Sequence, residues 1–205
     1  GSAFNETMQL RLALFYMDRE EVQISSSTVR VRDDGSAEFI DFIGNAAAGS
    51  NRGLELESQW LATENISVYG SLGLLDSRYL KFINSTGENL DGREQAHAPA
   101  YQFTLGAGII FNPALSMDIN IQGRDSFYFS DSHAIQSDSY TLLNASLRYA
   151  KENISMTLWG RNLTDEDYFV RGFYFGNDPR DGYTAKGYTQ LGEPARLGLT
   201  LNLDF

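Results

Sequence analysis

The sequence contains no cysteine and only four prolines, and it has no run of the ~20 apolar residues that a transmembrane helix requires. The absence of cysteine excludes disulfide scaffolds and cysteine-based metal sites. Lysine and arginine are also scarce, 16 against 27 aspartates and glutamates, so the formal net charge is -11. Because phosphate contacts depend on clusters of Lys and Arg, nucleic acid is a poor partner for this chain.

The first residues have neither the basic segment nor the apolar segment of a signal peptide. Gly1 and Ser2 are typical of residues left by cloning. We therefore expect either a trimmed start or a piece of a longer protein, and we favour the piece, with residues 1–205 forming one segment.

Apolar residues recur at every second position along much of the chain. The alternation is clearest at the end, at Leu197, Leu199, Leu201, Leu203 and Phe205, with small or polar residues between them. A strand of this kind has one apolar and one polar face. The mean hydropathy of -0.32 does not argue against a membrane location. A transmembrane barrel strand needs only about 10 residues with every second one apolar.

The same period predicts about eight long strands, each antiparallel to the next. They cover residues 10–24, 52–61, 66–79, 101–111, 115–124, 140–149, 154–165 and 197–205, with 39–43 as an outer extension of the second. Leu142 and Leu143 break the parity of the sixth strand, which predicts a bulge there. The predicted fold class is all-β, an antiparallel up-and-down meander that forms a segment of a transmembrane β-barrel.

The connections between these strands alternate between short and long. Tight turns fall at 62–65, 112–114 and 150–153, and long polar links fall at 25–38, 82–99, 130–139 and 168–194. Outer-membrane barrels have this arrangement, with short periplasmic turns and long extracellular loops. Aromatic residues near strand ends favour the same interpretation, because aromatic girdles lie at the level of the headgroups. These residues are Trp60, Tyr101, Phe111, Tyr149 and Phe205.

Near the C-terminus the chain reads Asn-Leu-Thr-Asp-Glu-Asp-Tyr. This segment resembles the Asn-Leu-x-Asp-x-x-Tyr motif of TonB-dependent outer-membrane receptors, with the motif residues at Asn162, Leu163, Asp165 and Tyr168. Phe205, at the end of an alternating strand, looks like the signal that the outer-membrane assembly machinery reads.

Two upstream segments extend the resemblance over nearly the whole chain. Residues 53–57 are similar to the Gly-x-Glu-x-Glu strand start of the family, and Pro99 matches the proline that closes a long loop before a strand. One departure from the family pattern is Ala195, which separates Pro194 from Arg196.

The resemblance implies a plug domain followed by a barrel of about 22 strands, of which this chain is the C-terminal part. It implies TonB-driven import of a scarce nutrient, either siderophore-bound iron or an oligosaccharide, and no cofactor. The implied partners are outer-membrane lipid, the plug domain, the remaining barrel strands, the assembly machinery, and TonB through an N-terminal region that this chain lacks.

Two groups of residues are candidates for substrate contact. The first is Arg124, Asp125, Phe127 and Tyr128, at the end of a strand. The second lies in the last long link and comprises Phe173, Tyr174, Tyr183 and Tyr188. Exposed aromatic rings beside hydrogen-bonding groups suit sugar rings or aromatic chelators. The same rings could instead pack within the link and hold it upright.

Polar residues at the alternate positions are predicted to face the lumen, where they would line the wall against the plug. The alternative is an ordinary solvated strand face. The predicted inward residues are Glu55, Glu57, Gln59, Gln102, Thr104, Asp118, Asn120, Gln122, Arg124, Arg148, Thr200 and Asn202.

The sequence predicts neither an enzyme nor a metal site. Asp131, Ser132 and His133 are adjacent, but adjacency in sequence is not the geometry of a catalytic triad. His97 and His133 lie on different links and have no metal-ligand spacing. The acidic pairs at 33–34 and at 178 and 181 do not have the spacing of a Ca²⁺ loop.

Two other classes of protein stay open at this point. One is a small self-contained outer-membrane barrel, porin-like, adhesive or enzymatic, in which the first and last strands pair; eight strands permit such closure. The other is a soluble β-sandwich binding module, in which the apolar strand faces meet each other.

Overall fold

In the computed structural model, residues 1–4, 6–34, 37–46, 48–84, 87–176, 178–184 and 186–204 are described. In chain order the strands are β1 Ser2–Phe4, β2 Met8–Arg19, β3 Val22–Val31, β4 Ala37–Ala46, β5 Ala48–Thr63, β6 Ile66–Lys81, β7 Tyr101–Asn112, β8 Leu115–Arg124, β9 Phe127–Tyr128, β10 Gln136–Ser137, β11 Tyr140–Lys151, β12 Ile154–Arg161, β13 Phe169–Phe175, β14 Lys186–Leu191 and β15 Arg196–Leu203. The single helix of this described part is the 3-10 turn Pro179–Asp181. Within these residues no helix has the length and apolar character needed to span a membrane.

Nine strands form one antiparallel sheet in the order β1-β2-β5-β6-β7-β8-β11-β12-β15. Eight of them are long, and the ninth, β1, adds three residues beside β2. The predicted all-β meander of about eight long strands is therefore confirmed. Three two-stranded hairpins, β3–β4, β9–β10 and β13–β14, project from the long-loop end of the sheet.

The register of the sheet separates two faces. The outer face carries apolar side chains, and Leu147 for example lies between Met117 and Leu158 of the neighbouring strands. The inner face carries polar side chains, and Gln122 lies beside Thr104. All twelve residues predicted to point inward lie on the inner face, which confirms the period-2 assignment.

The predicted bulge at Leu142 and Leu143 is wrong. Strand β11 pairs with β8 without interruption from Tyr140 to Tyr149. Leu142 breaks the parity because it is an apolar residue on the inner face, where it lines a cavity together with Val170. Register shifts occur instead at 48/49, 61/63 and 110/112 in the main sheet, and at 169/171 in the β13–β14 hairpin.

Two predicted boundaries also need correction. The first predicted strand, 10–24, is divided at Glu20 and Glu21, and Glu21 has a positive φ of 53°. The predicted link 25–38 is mostly strand, because β3 and β4 pair over ten residues each. Three serines make this segment read as a polar link, but its Val, Ile and Thr residues are β-branched and favour strands.

The pairing pattern decides between the alternative architectures. Among the described residues, β15 pairs with β12 alone and β1 with β2 alone, so the sheet is open. This does not support a barrel that closes within the chain. The outer face is also not covered by a second sheet: Leu14 and Leu197 are 72% and 75% exposed. The β-sandwich alternative is therefore wrong.

Candidate functional site

A cavity of about 660 Å³ lies on the inner face, where the central strands end below the long loops. We call it the Arg124 cavity. It is lined by Glu55, Leu56, Glu57, Ser71, Leu72, Gly73, Gln102, Phe103, Thr104, Gln122, Gly123, Arg124, Tyr140, Leu142, Tyr168 and Val170.

Adjacent strands bring the polar side chains of this cavity together. Arg124, at the end of β8, pairs in register with Gln102 on one side and Tyr140 on the other. Its guanidinium carbon lies 5.8 Å from the centre of the Phe127 ring. Glu55 comes from β5, three strands from β8 in the sheet. The cavity thus offers a guanidinium donor, carboxylate acceptors and amide groups in one place.

Two aromatic rings form one side of the cavity. The Tyr140 and Tyr168 ring centres are 4.4 Å apart. The ring of Tyr168 also covers Gly192, where a β-carbon would lie only 2.0 Å from a ring atom. Glycine at 192 therefore allows the Tyr168 ring to lie flat against the loop backbone.

A second cavity of about 210 Å³ lies beside the first and shares Arg124, Gln102 and Glu55 with it. Its other wall includes Phe15, His97 and Pro99. Arg124 therefore stands between two hollows of the inner face, where its guanidinium can reach a molecule in either.

A family model described as "TonB dependent receptor-like, beta-barrel" matches residues 3–163. This chain belongs to that family. The predicted recognition of a TonB-dependent receptor barrel is confirmed.

Three solved structures share the fold of the chain. The ferric yersiniabactin uptake receptor FyuA from Yersinia pestis matches with a TM-score of 0.76 at 18% identity, over 100% of this chain and 28% of that protein. The siderophore receptor PiuA from Acinetobacter baumannii matches with a TM-score of 0.71 at 19% identity, over 98% of this chain and 26% of that protein. The copper transporter OprC matches with a TM-score of 0.70 at 14% identity, over 100% of this chain and 30% of that protein. The chain thus spans under a third of the length of each of these proteins.

The first predicted group of substrate-contacting residues is divided in this TonB-dependent receptor segment. Arg124 lines the cavity. Asp125 caps the following turn, accepting a hydrogen bond from the Ser126 N–H at 2.8 Å. Phe127 is 3% exposed and packs edge-on against Phe129, so its ring belongs to the interior of the loops.

Tyr128, the last member of that group, lies under the guanidinium of Arg93, whose central carbon is 3.9 Å from the ring centre. Arg93 also donates hydrogen bonds to the carbonyls of Ser130 at 2.5 Å and His133 at 2.8 Å. It therefore joins the 82–99 loop to the 125–139 loop. Sequence reasoning missed Arg93, because no period or motif distinguishes it within a polar loop.

The second predicted group does not line the Arg124 cavity. Phe173 and Tyr188 face each other across the β13–β14 hairpin, 41% and 37% exposed, with the Arg171 guanidinium 4.8 Å from the Phe173 ring centre. Tyr174 is 49% exposed, with its ring 5.6 Å from that of His133. Tyr183 follows the 3-10 turn at a φ of 59°. Substrate contact by these residues stays a prediction.

The motif residues lie at the base of the last loop. Asn162 is 3% exposed and Leu163 is 40% exposed, beside Gly160. Asp165 has a φ of 52°. Tyr168 forms part of the cavity wall, a position that the motif did not indicate. Phe205 lies outside the described residues.

The adjacent Asp131, Ser132 and His133 do not form a triad. The His133 Nδ1 accepts a hydrogen bond from the Ile135 N–H at 3.2 Å, and the Ser132 hydroxyl lies 2.9 Å from the Ser130 hydroxyl. Among the described residues, no group of three or more His, Asp or Glu side chains is placed to hold a metal ion.

The acidic residues near the 3-10 turn have internal cationic partners. Asp178 accepts two hydrogen bonds from the Arg180 side chain at 2.9 Å, and these bonds lower the pKa of its carboxyl. Asp181 forms an ion pair with Lys186. These carboxylates are therefore already neutralised by the chain itself.

Proposed function

We propose that residues 1–205 are the C-terminal barrel segment of a longer TonB-dependent receptor that imports a scarce nutrient across the outer membrane. The observation that carries the proposal is the two-faced sheet, apolar outside and polar inside, with the Arg124 cavity on the inner face near the long loops. Membership of the receptor family supports it. The plug, the remaining strands and the TonB contact belong to the parts of the receptor outside this chain.

The two ends of the sheet support a proposed orientation in the membrane. Trp60, Phe111 and Tyr149 lie near the short turns and are 49%, 54% and 41% exposed, as expected for rings at a headgroup boundary. We assign the short turns to the periplasm and the long loops to the cell exterior. The outer face contacts lipid, and the C-terminal strand presents the assembly signal.

We assign a chelated metal ion as the class of nutrient. The guanidinium of Arg124 suits the anionic oxygen donors of a chelator, and the paired rings of Tyr140 and Tyr168 suit its aromatic or apolar parts. Glu55 and Glu57 disfavour a strongly anionic complex, which points to one of low net charge. The ligands named for the structural neighbours, ferric yersiniabactin, a siderophore and copper, favour a metal ion or its chelate as the nutrient.

An oligosaccharide is the second candidate, and one observation favours it. Phe173 and Tyr188 present neighbouring, partly exposed rings on one face of the β13–β14 hairpin, beside the guanidinium of Arg171. Rings flanked by hydrogen-bond donors can stack on sugars.

Uptake by the complete receptor tests this proposal. In a strain without other ferric-chelate receptors, radioactive iron is supplied as its neutral tris-benzohydroxamate complex, with labelled maltohexaose as the sugar probe. Arg124→Gln should raise the concentration for half-maximal iron uptake about tenfold or more, because it removes a charge-assisted hydrogen bond. Lys151→Gln, at a short turn, is the matched loss of one positive charge and should have no effect.

The outcomes separate the parts of the proposal. Uptake of maltohexaose but not of iron would mean that the nutrient is a sugar and not a metal chelate. Uptake of neither probe, or uptake that continues without TonB, would contradict the assignment as a receptor for these nutrients. Iron uptake that is unchanged in the Arg124→Gln receptor would remove the Arg124 cavity from the ligand pathway.

A further inference from the structure

A single buried amide joins the two ends of the last long loop. Asn162 follows β12 directly, and its side-chain Nδ2 donates to the Glu166 carbonyl at 2.9 Å and to the Glu193 carbonyl at 3.0 Å. Its Oδ1 accepts from the Glu166 N–H at 2.9 Å. Glu166 opens the loop and Glu193 lies just before β15, so one side chain holds both ends of the loop together.

Asp165 adds a second connection across the same gap. Its Oδ1 accepts a hydrogen bond from the Ala195 N–H at 2.8 Å, and its own N–H donates to the Asn162 carbonyl at 2.9 Å. Three residues further on, the Tyr168 carbonyl accepts from the Gly192 N–H at 2.8 Å. The side-chain bonds of Asn162 and Asp165 thus close the base of the loop. The backbone bond between Tyr168 and Gly192 is the next connection between its two arms.

Hydrogen bonds along the inner face fix this base to the sheet. The Asn162 N–H donates to Asn144 Oδ1 at 3.1 Å, and Asn144 Nδ2 donates to Asn120 Oδ1 at 3.0 Å. Asn120 in turn donates to Asp118 at 3.2 Å, and the Tyr69 hydroxyl donates to both Asp118 oxygens at 3.1 Å. The position of Asn162 is therefore set by a row of polar side chains that crosses from β6 through β8 and β11.

Asparagine is the side chain that this position requires. It must supply two N–H donors and one acceptor, and its backbone has a φ of 47°, a region that asparagine adopts more readily than most residues. Aspartate has nearly the same shape but lacks both donors, and its negative charge would face the two carbonyl oxygens.

We propose that Asn162 and Asp165 form a clasp that positions Tyr168 on the wall of the Arg124 cavity, so that these motif residues set ligand affinity without touching the ligand. The inference rests on the proposed function. It assigns to the C-terminal motif the role of a positioning element: with the clasp open, the Tyr168 ring is no longer held 4.4 Å from the Tyr140 ring.

The test compares two asparagine-to-aspartate changes in the complete receptor. Asn162→Asp opens the clasp. Asn153→Asp is the matched control, because Asn153 Nδ2 also donates to a backbone carbonyl, that of Asp204 at 2.9 Å, but in an exposed short turn at the far end of β12. Hydrogen exchange is measured in detergent without ligand, and affinity is measured by titration with the neutral ferric tris-benzohydroxamate complex.

We expect Asn162→Asp to speed exchange in the described residues of 163–176 and 186–195 about tenfold or more, since buried donors and acceptors lose their partners. Exchange in β12 and β15 should be unchanged. The dissociation constant of the ferric complex should rise about tenfold, while the maximal uptake rate stays near that of the wild type. Asn153→Asp should change neither quantity.

Any different result would overturn the inference, and each would do so in a distinct way. Unchanged exchange in the Asn162→Asp receptor would mean that no clasp holds the loop. Faster exchange with unchanged affinity would mean that the clasp does not position the cavity wall. If the wild-type receptor binds no ferric complex, the proposed function fails as stated, and the ligand-free exchange comparison alone decides whether the clasp exists.

Discussion

The sheet and the loops above it use apolar residues in opposite ways. On the outer face of the sheet, Leu197 and Leu14 are 75% and 72% exposed. In the loops, Phe127 and Phe129 are 3% and 4% exposed. Soluble proteins bury their apolar side chains, and large exposed apolar patches mark contact with another apolar phase or partner. The comparison supports the proposed contact of the outer face with lipid, whereas the loops bury their apolar side chains as a water-soluble domain does.

The two regions are also held together differently. Aromatic rings on the sheet lie flat over glycines of neighbouring strands, as Trp159 does over Gly198 and Tyr69 over Gly106. The loops combine a small apolar interior with the Arg93 contacts to Ser130 and His133. The sheet therefore depends on the backbone hydrogen bonds between its strands, and the loops depend on side-chain packing. A substitution should change the stability of one region without changing that of the other.

The largest effect is expected from Phe129→Ala in the loop interior. The Phe129 ring packs edge-on against Phe127 and lies over Gly172 of the β13–β14 hairpin. Removing it should lower the free energy of local unfolding of the loops by about 3–5 kcal/mol, the usual cost for a buried phenylalanine. Hydrogen exchange should report the loss in 125–139 and 169–175, with β7 and β8 unaffected.

Leu191→Ala is the matched control for that prediction, because Leu191 lies on the same hairpin but is 58% exposed. It should change the free energy of local unfolding of the loops by less than about 0.5 kcal/mol. If Phe129→Ala also accelerates exchange throughout β7 and β8, the loops and the sheet form one cooperative unit and the contrast drawn between them is wrong.

The next largest effect is expected on the outer face of the sheet. Leu199 lies in the middle of the apolar row of β15 and is 62% exposed. In a lipid bilayer, Leu199→Lys should lower the free energy of unfolding by about 2–4 kcal/mol, the cost of a cation near the midplane of a barrel wall. Denaturant titration of the complete receptor in vesicles measures this change.

Asn202→Lys gives the comparison on the inner face of the same strand. It should cost less than about 1 kcal/mol, because that side chain faces the polar interior. Equal costs for the two lysines would mean that the outer face does not contact lipid.

The sequence predicted the sheet better than the loops, for a physical reason. A two-faced strand between lipid and a polar interior must alternate, so Leu197 to Leu203 could be assigned without coordinates. The β13–β14 hairpin has no such constraint, because β14 is exposed along its whole length and β13 packs against Phe129 of another loop at Gly172. Leu142 was misread as a bulge because its apolar neighbour on the inner face, Val170, comes from a distant segment.

The candidate site was predictable only in part for the same reason. Arg124 was accessible to sequence reasoning because it combines inward parity with a position at a strand end. Tyr140 and Tyr168 were not, since their 4.4 Å ring contact depends on how the last loop returns to the sheet. Phe127 has the composition of a binding residue, but the folded loops bury it.

The smallest expected effect is the dependence of loop stability on pH, which we attribute to His133. The strands of the main sheet contain no histidine. His133 is 8% exposed, and burial, together with the positive charge of Arg93, holds the pKa of its imidazole below the ordinary 6.5, against an opposing effect of Asp131. Its Nδ1 accepts from the Ile135 N–H, a bond that a doubly protonated ring cannot accept. The folded loops therefore favour the neutral ring.

Because the pKa of His133 is lower in the folded than in the unfolded loops, the unfolded state takes up the proton first as the pH falls. The free energy of loop unfolding should thus begin to decrease as the pH falls through about 6.5 and stop decreasing below the folded pKa. Hydrogen exchange of residues 127–137 between about pH 7.5 and about pH 5.5, corrected for intrinsic exchange, measures this decrease, with β8 as the internal reference. His133→Gln removes the titrating group and should flatten the response. A response that persists in that variant would assign the pH dependence to another group, and an equal response in β8 would remove the distinction between loops and sheet.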